Sequence, residues 1–246
     1  ADYPVPGLKE TGFITSDDIL EMREAPESII VLGAGAVAVE LAQFLLRIGV
    51  KVTLLQRSPH ILSKGDEDLA QPVEHQFRQE GMDLFTGTKI LRTEKQQKNS
   101  AVYFQHEGEE KRVCAQVILQ ALGRRPNSDG LDLEAAGIET QQGRINVDAK
   151  MKTNQPHIFA VGDVNGIHEV VHIAILQGEV AGYNAVHPEN ERQVDDRLKS
   201  SVVFTDPAVA SVGLSEKECQ AGNIAYLTAS YPFDDHGKSM CLGETH

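Results

Sequence analysis

The chain has 246 residues, enough for one large or two small domains, each with its own core. Apolar residues make up an ordinary 41%, and no run approaches the roughly 18 apolar residues of a membrane-crossing helix. A formal net charge of −13, with the acids dispersed, argues against nucleic acid or an anionic membrane surface as a partner. The first ten residues, ADYPVPGLKE, lack a basic-then-apolar pattern, so no signal peptide is expected there. Pro4 and Pro6 impose extended backbone, and Thr15-Ser16-Asp17-Asp18 reads as an N-cap before a short helix through Ile19, Leu20 and Met22.

The stretch from Ser28 to Arg57 is the most informative. Ile29-Ile30-Val31-Leu32 is a short, β-branched run suited to a buried parallel strand. Gly33 and Gly35 follow, then a helical pattern that puts Val37, Leu41, Phe44, Leu45 and Ile48 on one face. Gly49 ends the helix, and Val52-Thr53-Leu54-Leu55 is a second strand. Within this β-α-β unit Gly33 permits a tight turn, and Gly35, without a Cβ, lets a pyrophosphate approach the backbone. Ala38 is small enough for the helix to lie close to the strand, while the free N–H groups at Ala36 and Val37 would face the phosphates. A G-x-G-x-x-A placed between strand and helix is a dinucleotide-binding signature.

The second strand ends in Gln56-Arg57, where an NAD site usually carries an acid for the ribose 2′-OH. Gln56 removes that acid, and Arg57 supplies a donor fork matched to a 2′-phosphate, so NADP is expected in preference to NAD. Lys64 is a candidate second cation.

Gly65-Asp66-Glu67-Asp68 opens a helix that ends at Gly81, with Pro72 expected in or near its first turn, and Met82 to Phe85 follows as a strand. Three alternating segments, Ile90–Thr93, Ala101–Phe104 and Lys111–Val113, are separated by polar turns and read as an antiparallel meander. Val117 to Leu122 is again a buried strand. Gly123-Arg124-Arg125-Pro126-Asn127 reads as a hinge. Beyond it are expected a short helix from Leu131 to Gly137, a strand from Arg144 to Val147, a strand from Ile158 to Val161 running into Gly162-Asp163, and a helix from about Val171 to Ala185. Pro188 to Lys199 is a polar linker. Ser201 to Phe204 starts a third piece, with a helix start at Ser215-Glu216-Lys217-Glu218 and a strand from Ala225 to Ser230.

Cys114, Cys219 and Cys241 are odd in number and lack C-x-x-C spacing, which fits a reducing cytoplasm. The nine histidines show no metal-ligand spacing, so no metal site is assigned.

Four stretches together resemble the flavoprotein disulfide reductases that bind two dinucleotides, the family of glutathione reductase, dihydrolipoamide dehydrogenase and mercuric reductase. They are GAGAVAVE at 33–40, ALGRRPN at 121–127, TNQPHIFAVGD at 153–163 and VVFTDPAVASVGLSE at 202–216, in the family's order. The resemblance implies an α/β fold in three parts: a Rossmann-like NAD(P)-binding domain with a three-stranded antiparallel flap and its leading segment (1–123), the C-terminal half of an FAD-binding domain (124–196), and the start of an α+β dimer-interface domain (197–246). It implies NADP and FAD as cofactors, a homodimer, and a disulfide or small redox substrate. Glu40 would lie near the nicotinamide carboxamide, Ile90 beside the adenine and Gly123 at the nicotinamide end. Gly162 and Asp163 match the flavin-binding stretch, Asp163 holding the ribityl chain. Glu169, Val170, Val171 and His172 would start the helix facing the flavin's O2 side. Ala36 departs from the tyrosine that gates the nicotinamide pocket in glutathione reductases.

The family's first G-x-G-x-x-G, its C-x-x-x-x-C redox pair and its His–Glu acid–base pair have no counterpart in this sequence, and Gly243-Glu244-Thr245-His246 falls within an interface-strand pattern. The chain therefore reads as a fragment that does not turn over alone. Residues 124–190 are expected to lack apolar partners and to be rearranged, paired with a second copy or poorly ordered. Two other readings fit the same residues: a non-catalytic nucleotide-binding module, and an NAD(P)H oxidase or flavoprotein electron transferase.

Overall fold

The structure is a computed structural model that describes residues 4–195, 197 and 199–243. By their contacts, the described residues within 2–123, 202–210 and 214–246 form one unit, and those within 124–201 and 211–213 form a second.

The larger unit begins with two short helices, α1 (Leu8–Thr11) and α2 (Ser16–Glu21). Asp18 accepts the Thr15 N–H at 2.7 Å and the Thr15 hydroxyl at 2.8 Å, which closes the start of α2. Met22, expected inside that helix, is its C-cap. Then come β1 (Ser28–Leu32), α3 (Ala36–Arg47), β2 (Lys51–Leu55), α4 (Glu67–Gln79), β3 (Asp83–Phe85), β4 (Lys89–Lys95), β5 (Ser100–His106), β6 (Glu109–Ala115) and β7 (Val117–Gln120). Four strands make a parallel sheet in the order β3-β2-β1-β7, and β4-β5-β6 make the antiparallel flap.

Strand alternation divides the sheet residues between two cores. Ile29, Val31, Val52, Leu54 and Leu119 pack with Ala38, Val39, Ala42 and Leu45 of α3 and with Ala70, Val73 and Phe77 of α4. Ile30, Leu32, Leu55 and Ile118 face the other way, onto Leu8 of α1 and Val102, Phe104 and Ala115 of the flap. With both faces covered, the interiors of β1, β2 and β7 must be apolar; polar residues fall at strand ends, Ser28, Lys51 and Gln120, with Thr53 the exception.

The buried stripe of α3 differs from the expected one. Ala38, Val39, Ala42, Gln43 and Leu45 face inward, whereas Val37, Phe44 and Ile48 are exposed. Close approach to the sheet selects the small side chains, and the bulky ones rotate outward. Pro72 is also displaced from expectation: it lies in the body of α4, past the first turn. Pro72 and Asp68 are both exposed, so water can serve the carbonyl whose helical donor the proline removes.

The smaller unit contains a two-residue hairpin, β8 (Thr140–Gln141) with β9 (Arg144–Ile145), a 3₁₀ helix at Gly162–Asn165, and α5 (Val171–Val186). Its core is small: Met151, Val180 and Ala181, with Val147, Phe159, Val161 and Val194 against them. Two expected elements are absent. Residues 131–137 form successive turns instead of a helix. Ile158 to Val161 forms one bridge, Lys152 with Phe159, instead of a strand, and the strand expected from Arg144 to Val147 stops at Ile145. An apolar run becomes a buried strand only when neighbours flank it, and here Met151–Thr153 supplies one side alone. Residues 124–190 thus hold regular elements and a core of their own, while Val171, Ile175, Leu176 and Val186 of α5 are exposed.

The last stretch comprises β10 (Ser200–Val203) paired with β11 (Val209–Val212), α6 (Glu216–Ala221) and α7 (Gly237–Leu242). Ser215 and Glu218 cap α6 reciprocally, as the sequence spacing implies. Ala225 to Ser230, expected as a strand, makes no ladder with any described residue and is exposed. The interface-strand reading of 243–246 falls on residues 244–246, outside the described residues, as do residues 1–3 of the leading segment.

Gly33 has φ +100°, and a Cβ there would lie 2.5 Å from the Ala121 carbonyl oxygen. Gly33→Ala is expected to cost roughly 2–4 kcal/mol in urea denaturation. Glu80 accepts from Arg47, Gln76 and Gln43. Burial works to raise the pKa of its carboxyl, but these donors outweigh burial and hold it below the ordinary 4.5. A depressed carboxyl stabilises the fold above its unfolded pKa and ceases to do so as pH falls through the folded value. Urea midpoints should therefore drop more steeply between about pH 5 and 3 for the wild type than for Glu80→Gln.

Candidate nucleotide-binding site

The two glycines of the β1–α3 turn serve different ends. Gly33 is held by its backbone: its N–H donates to the Leu55 carbonyl at 2.9 Å, and its φ of +100° is one that side chains disfavour. Gly35 has φ −75° and ψ 178°, which any residue adopts. A Cβ at Gly35 would meet nothing within 4 Å, so the space in front of that backbone is open. The first helical bond of α3 runs from the Val39 N–H to the Gly35 carbonyl at 3.0 Å. The N–H groups of Ala36, Val37 and Ala38 therefore lack an intrahelical acceptor, and no side chain among the described residues caps them. Ala36 and Val37 are exposed, and Ala38 is buried against the sheet. The result is a cluster of donors at the positive end of a 12-residue helix.

This turn sits at the C-terminal edge of the parallel sheet, beside the point where strand order reverses between β2-β1 and β7. The Ala121 N–H donates to the Leu32 carbonyl at 3.0 Å, which brings the segment ending at Gly123 next to Gly33. The Ala34 carbonyl accepts the Leu62 N–H at 2.8 Å, tying the loop after β2 to the same turn. Gln56 is buried, with its carbonyl accepting from the N–H and hydroxyl of Thr88. Its side-chain amide points toward His60 and Ser63, at 3.5 Å from each partner. Arg57 is exposed and makes no ion pair with any described residue. Lys64 is exposed likewise. A different cation touches this loop: Lys217 Nζ donates to the Ser63 carbonyl at 2.8 Å, and the Glu216 and Lys217 N–H groups both donate to the Asp66 carboxylate. No local signal announces Lys217, which lies 154 residues after Ser63. Ile90 is half-buried on β4, against the core shared by the sheet and the flap.

Glu40 lies one turn into α3, and its Oε1 accepts the Phe204 N–H at 2.8 Å. Sequence reasoning reached Glu40 but not this partner, because the segment at 204–206 is far away in the chain.

The residues matched to flavin binding lie in the smaller unit. Gly162 and Asp163 open the 3₁₀ helix, Gly162 with φ +72°. The Asp163 carboxylate accepts from Arg124 Nη2 at 3.1 Å, and Arg124 Nε lies 3.4 Å from Glu169. Val170 is the N-cap of α5, and Val171 is exposed at its first position. His172 Nε2 is 3.0 Å from the Ser200 carbonyl and 2.9 Å from its hydroxyl, so its ring already has a protein partner. Behind these residues Gln177 is fully buried: its Oε1 accepts the Gly162 N–H at 2.7 Å and Asn165 Nδ2 at 2.9 Å. Among the described residues Gln177 Nε2 has no hydrogen-bond partner. A buried donor without an acceptor, beside a glycine–aspartate turn, fits a stretch that accommodates a polar group.

All three cysteines are free, Cys114 and Cys241 exposed and Cys219 buried. Among the described residues no three His, Cys, Asp or Glu side chains are placed to hold a metal, and no helix is long and apolar enough to cross a membrane.

Residues 1–178 match the family described as pyridine nucleotide-disulphide oxidoreductase, and residues 199–246 match its dimerisation domain. Mercuric reductase of Staphylococcus aureus is 31% identical over 242 residues, which cover 98% of this chain and 44% of that protein. Dihydrolipoyl dehydrogenase of Mycobacterium tuberculosis is 34% identical over 242 residues, covering 98% of this chain and 52% of the relative. Among solved structures, the HOCl-induced flavoprotein disulfide reductase RclA from Escherichia coli superimposes with a TM-score of 0.85 at 26% identity, covering 100% of this chain and 56% of that one. The chain thus spans about half the length of the curated relatives it matches. With its α/β fold and its glycine turn, the chain belongs to the pyridine nucleotide-disulphide oxidoreductase family.

Proposed function

We propose that this chain is the nucleotide-binding portion of an FAD-dependent, NAD(P)H-linked disulfide or metal-ion reductase. The observation that carries this reading is the open space in front of Gly35, at the uncapped start of α3. The Ala36, Val37 and Ala38 amides would hold the pyrophosphate there, with Gly33 setting the turn. Glu40 would meet the nicotinamide carboxamide, Ile90 the adenine, and Gly123 the nicotinamide end.

NADPH is proposed over NADH because Gln56 turns its amide inward and offers no acid to a ribose 2′-OH, while the exposed Arg57 has no carboxylate among the described residues to satisfy it. When bound, FAD supplies the two-electron relay between a nicotinamide and a redox disulfide outside this chain. Asp163, backed by Gly162, would hold the ribityl hydroxyls, which requires its Arg124 contact to yield. The start of α5, from Glu169 through Val170 and Val171 to His172, would lie at the flavin's O2 side, where the helix dipole favours negative charge. The stretch from 197 is proposed to serve homodimer formation in the intact protein. Free thiols throughout fit a cytoplasmic setting.

Titration calorimetry with NADPH and NADH tests the nucleotide site. A Cβ fits at Gly35 without contact, so Gly35→Val should retain the wild-type fold by circular dichroism and lose binding of both nucleotides, because its side chain fills the phosphate cradle. Unchanged NADPH binding by that variant would remove the pyrophosphate from this turn. Arg57→Ala should weaken NADPH by about 1–3 kcal/mol and leave NADH nearly unaffected. Equal losses for both nucleotides would take Arg57 away from the 2′-phosphate.

A further inference from the structure

Three side chains on one face of α3 hold a single remote segment. Glu40, Gln43 and Arg47 are spaced i, i+3 and i+7, and all three bond to residues 204–206. The segment lies in the same unit as α3. Glu40 Oε1 accepts the Phe204 N–H at 2.8 Å. Gln43 pairs with the backbone of Asp206 through both ends of its amide: Oε1 accepts the Asp206 N–H at 2.8 Å and Nε2 donates to the Asp206 carbonyl at 2.8 Å. Arg47 Nη2 bonds Asp206 Oδ2 at 2.7 Å.

Their environments differ. Gln43 is only 4% exposed, while the Arg47 and Asp206 side chains are 44% and 59% exposed. The strong fixed contact is therefore the buried amide, and the ion pair in solvent adds little. A two-point amide contact sets both the position and the direction of the peptide at 206, and through two further residues it sets the Phe204 N–H. That N–H is the only described partner of the Glu40 carboxylate, and Glu40 Oε2 takes no hydrogen bond from any described residue. Glu40 itself is half-buried in the second turn of α3, the helix whose first turn faces the phosphate cradle.

We propose that Gln43 is a positioning residue for the nicotinamide end of the dinucleotide: by clamping the Asp206 backbone it aims the Phe204 N–H at Glu40 and fixes the carboxylate that meets the carboxamide. This rests on the role of Glu40 given under Proposed function. Gln43 touches no ligand; it acts through 204–206. Its contribution is confined to the nicotinamide end, because the glycine turn and Arg57 do not depend on that segment.

The test pairs each dinucleotide with the same molecule lacking nicotinamide: NADPH with 2′-phospho-ADP-ribose, and NADH with ADP-ribose, titrated into the full chain. Gln43→Leu is expected to weaken the preferred dinucleotide about fivefold, the scale of one lost hydrogen bond, and to leave its nicotinamide-free counterpart within about twofold. Gln43→Asn, which keeps a buried amide but cannot span both backbone groups, should fall between Leu and wild type and covers the case in which Gln43→Leu does not fold. In a Glu40→Ala background Gln43→Asn should have no further effect on the dinucleotide, since the two residues act as one unit. Equal weakening of both ligands, no weakening of the dinucleotide, or additive losses in the double variant would each overturn the proposal while leaving the glycine-turn reading intact. Wild type binding neither nicotinamide-free ligand would instead overturn that underlying reading, and this one with it.

Discussion

A side chain at position 33 cannot coexist with the carbonyl of Ala121, and that constraint organises the larger unit. With only hydrogens on its Cα, Gly33 lets the chain leave β1 in a left-handed turn while Ala121 and Leu122, just past β7, run by within contact distance. The turn determines where α3 starts, and the start of α3 determines where three amide protons are left over. The open space at Gly35 follows from this and is not a separate provision. One glycine is required by the protein's own backbone; the other leaves room for something else.

The parallel sheet supports the turn by being covered twice. Helices take alternate residues of β1 on one face, and the flap takes the others on the opposite face. A strand buried in this way cannot slip by a residue without moving its side chains between two differently shaped cores. The C-terminal ends of β1, β2 and β7 are thus held in register, and the loops that bear Gly33, Arg57 and Gly123 leave from one rigid edge.

Much of this was legible in the residues themselves. Period, capping and turn chemistry are local, so β1 to β7, α4, the flap turns and the capped start of α6 could be read directly. What failed was what depends on neighbours. Among the described residues, Ile158 to Val161 has the composition of a buried strand but finds a partner on one side only, and Ala225 to Ser230 finds none. The stripe on α3 was misphased because periodicity weighs bulk, whereas close contact with a sheet favours Ala38 and Ala42 over Phe44 and Ile48. At the candidate site the glycines and Arg57 announce themselves by spacing. The partners of Glu40 and of the loop at 63–66 do not, since Phe204, Glu216 and Lys217 approach from the far end of the chain.

The Asp66 carboxylate makes two helices of the larger unit depend on one side chain. It stands at the head of α4, yet both of its oxygens accept amides from the first turn of α6. A helix of six residues closes too few of its own hydrogen bonds to persist in water. Asp66 adds two acceptors and a negative charge at its start, beside the Ser215–Glu218 cap, so one side chain fastens together two helices whose first turns lie 150 residues apart in the chain.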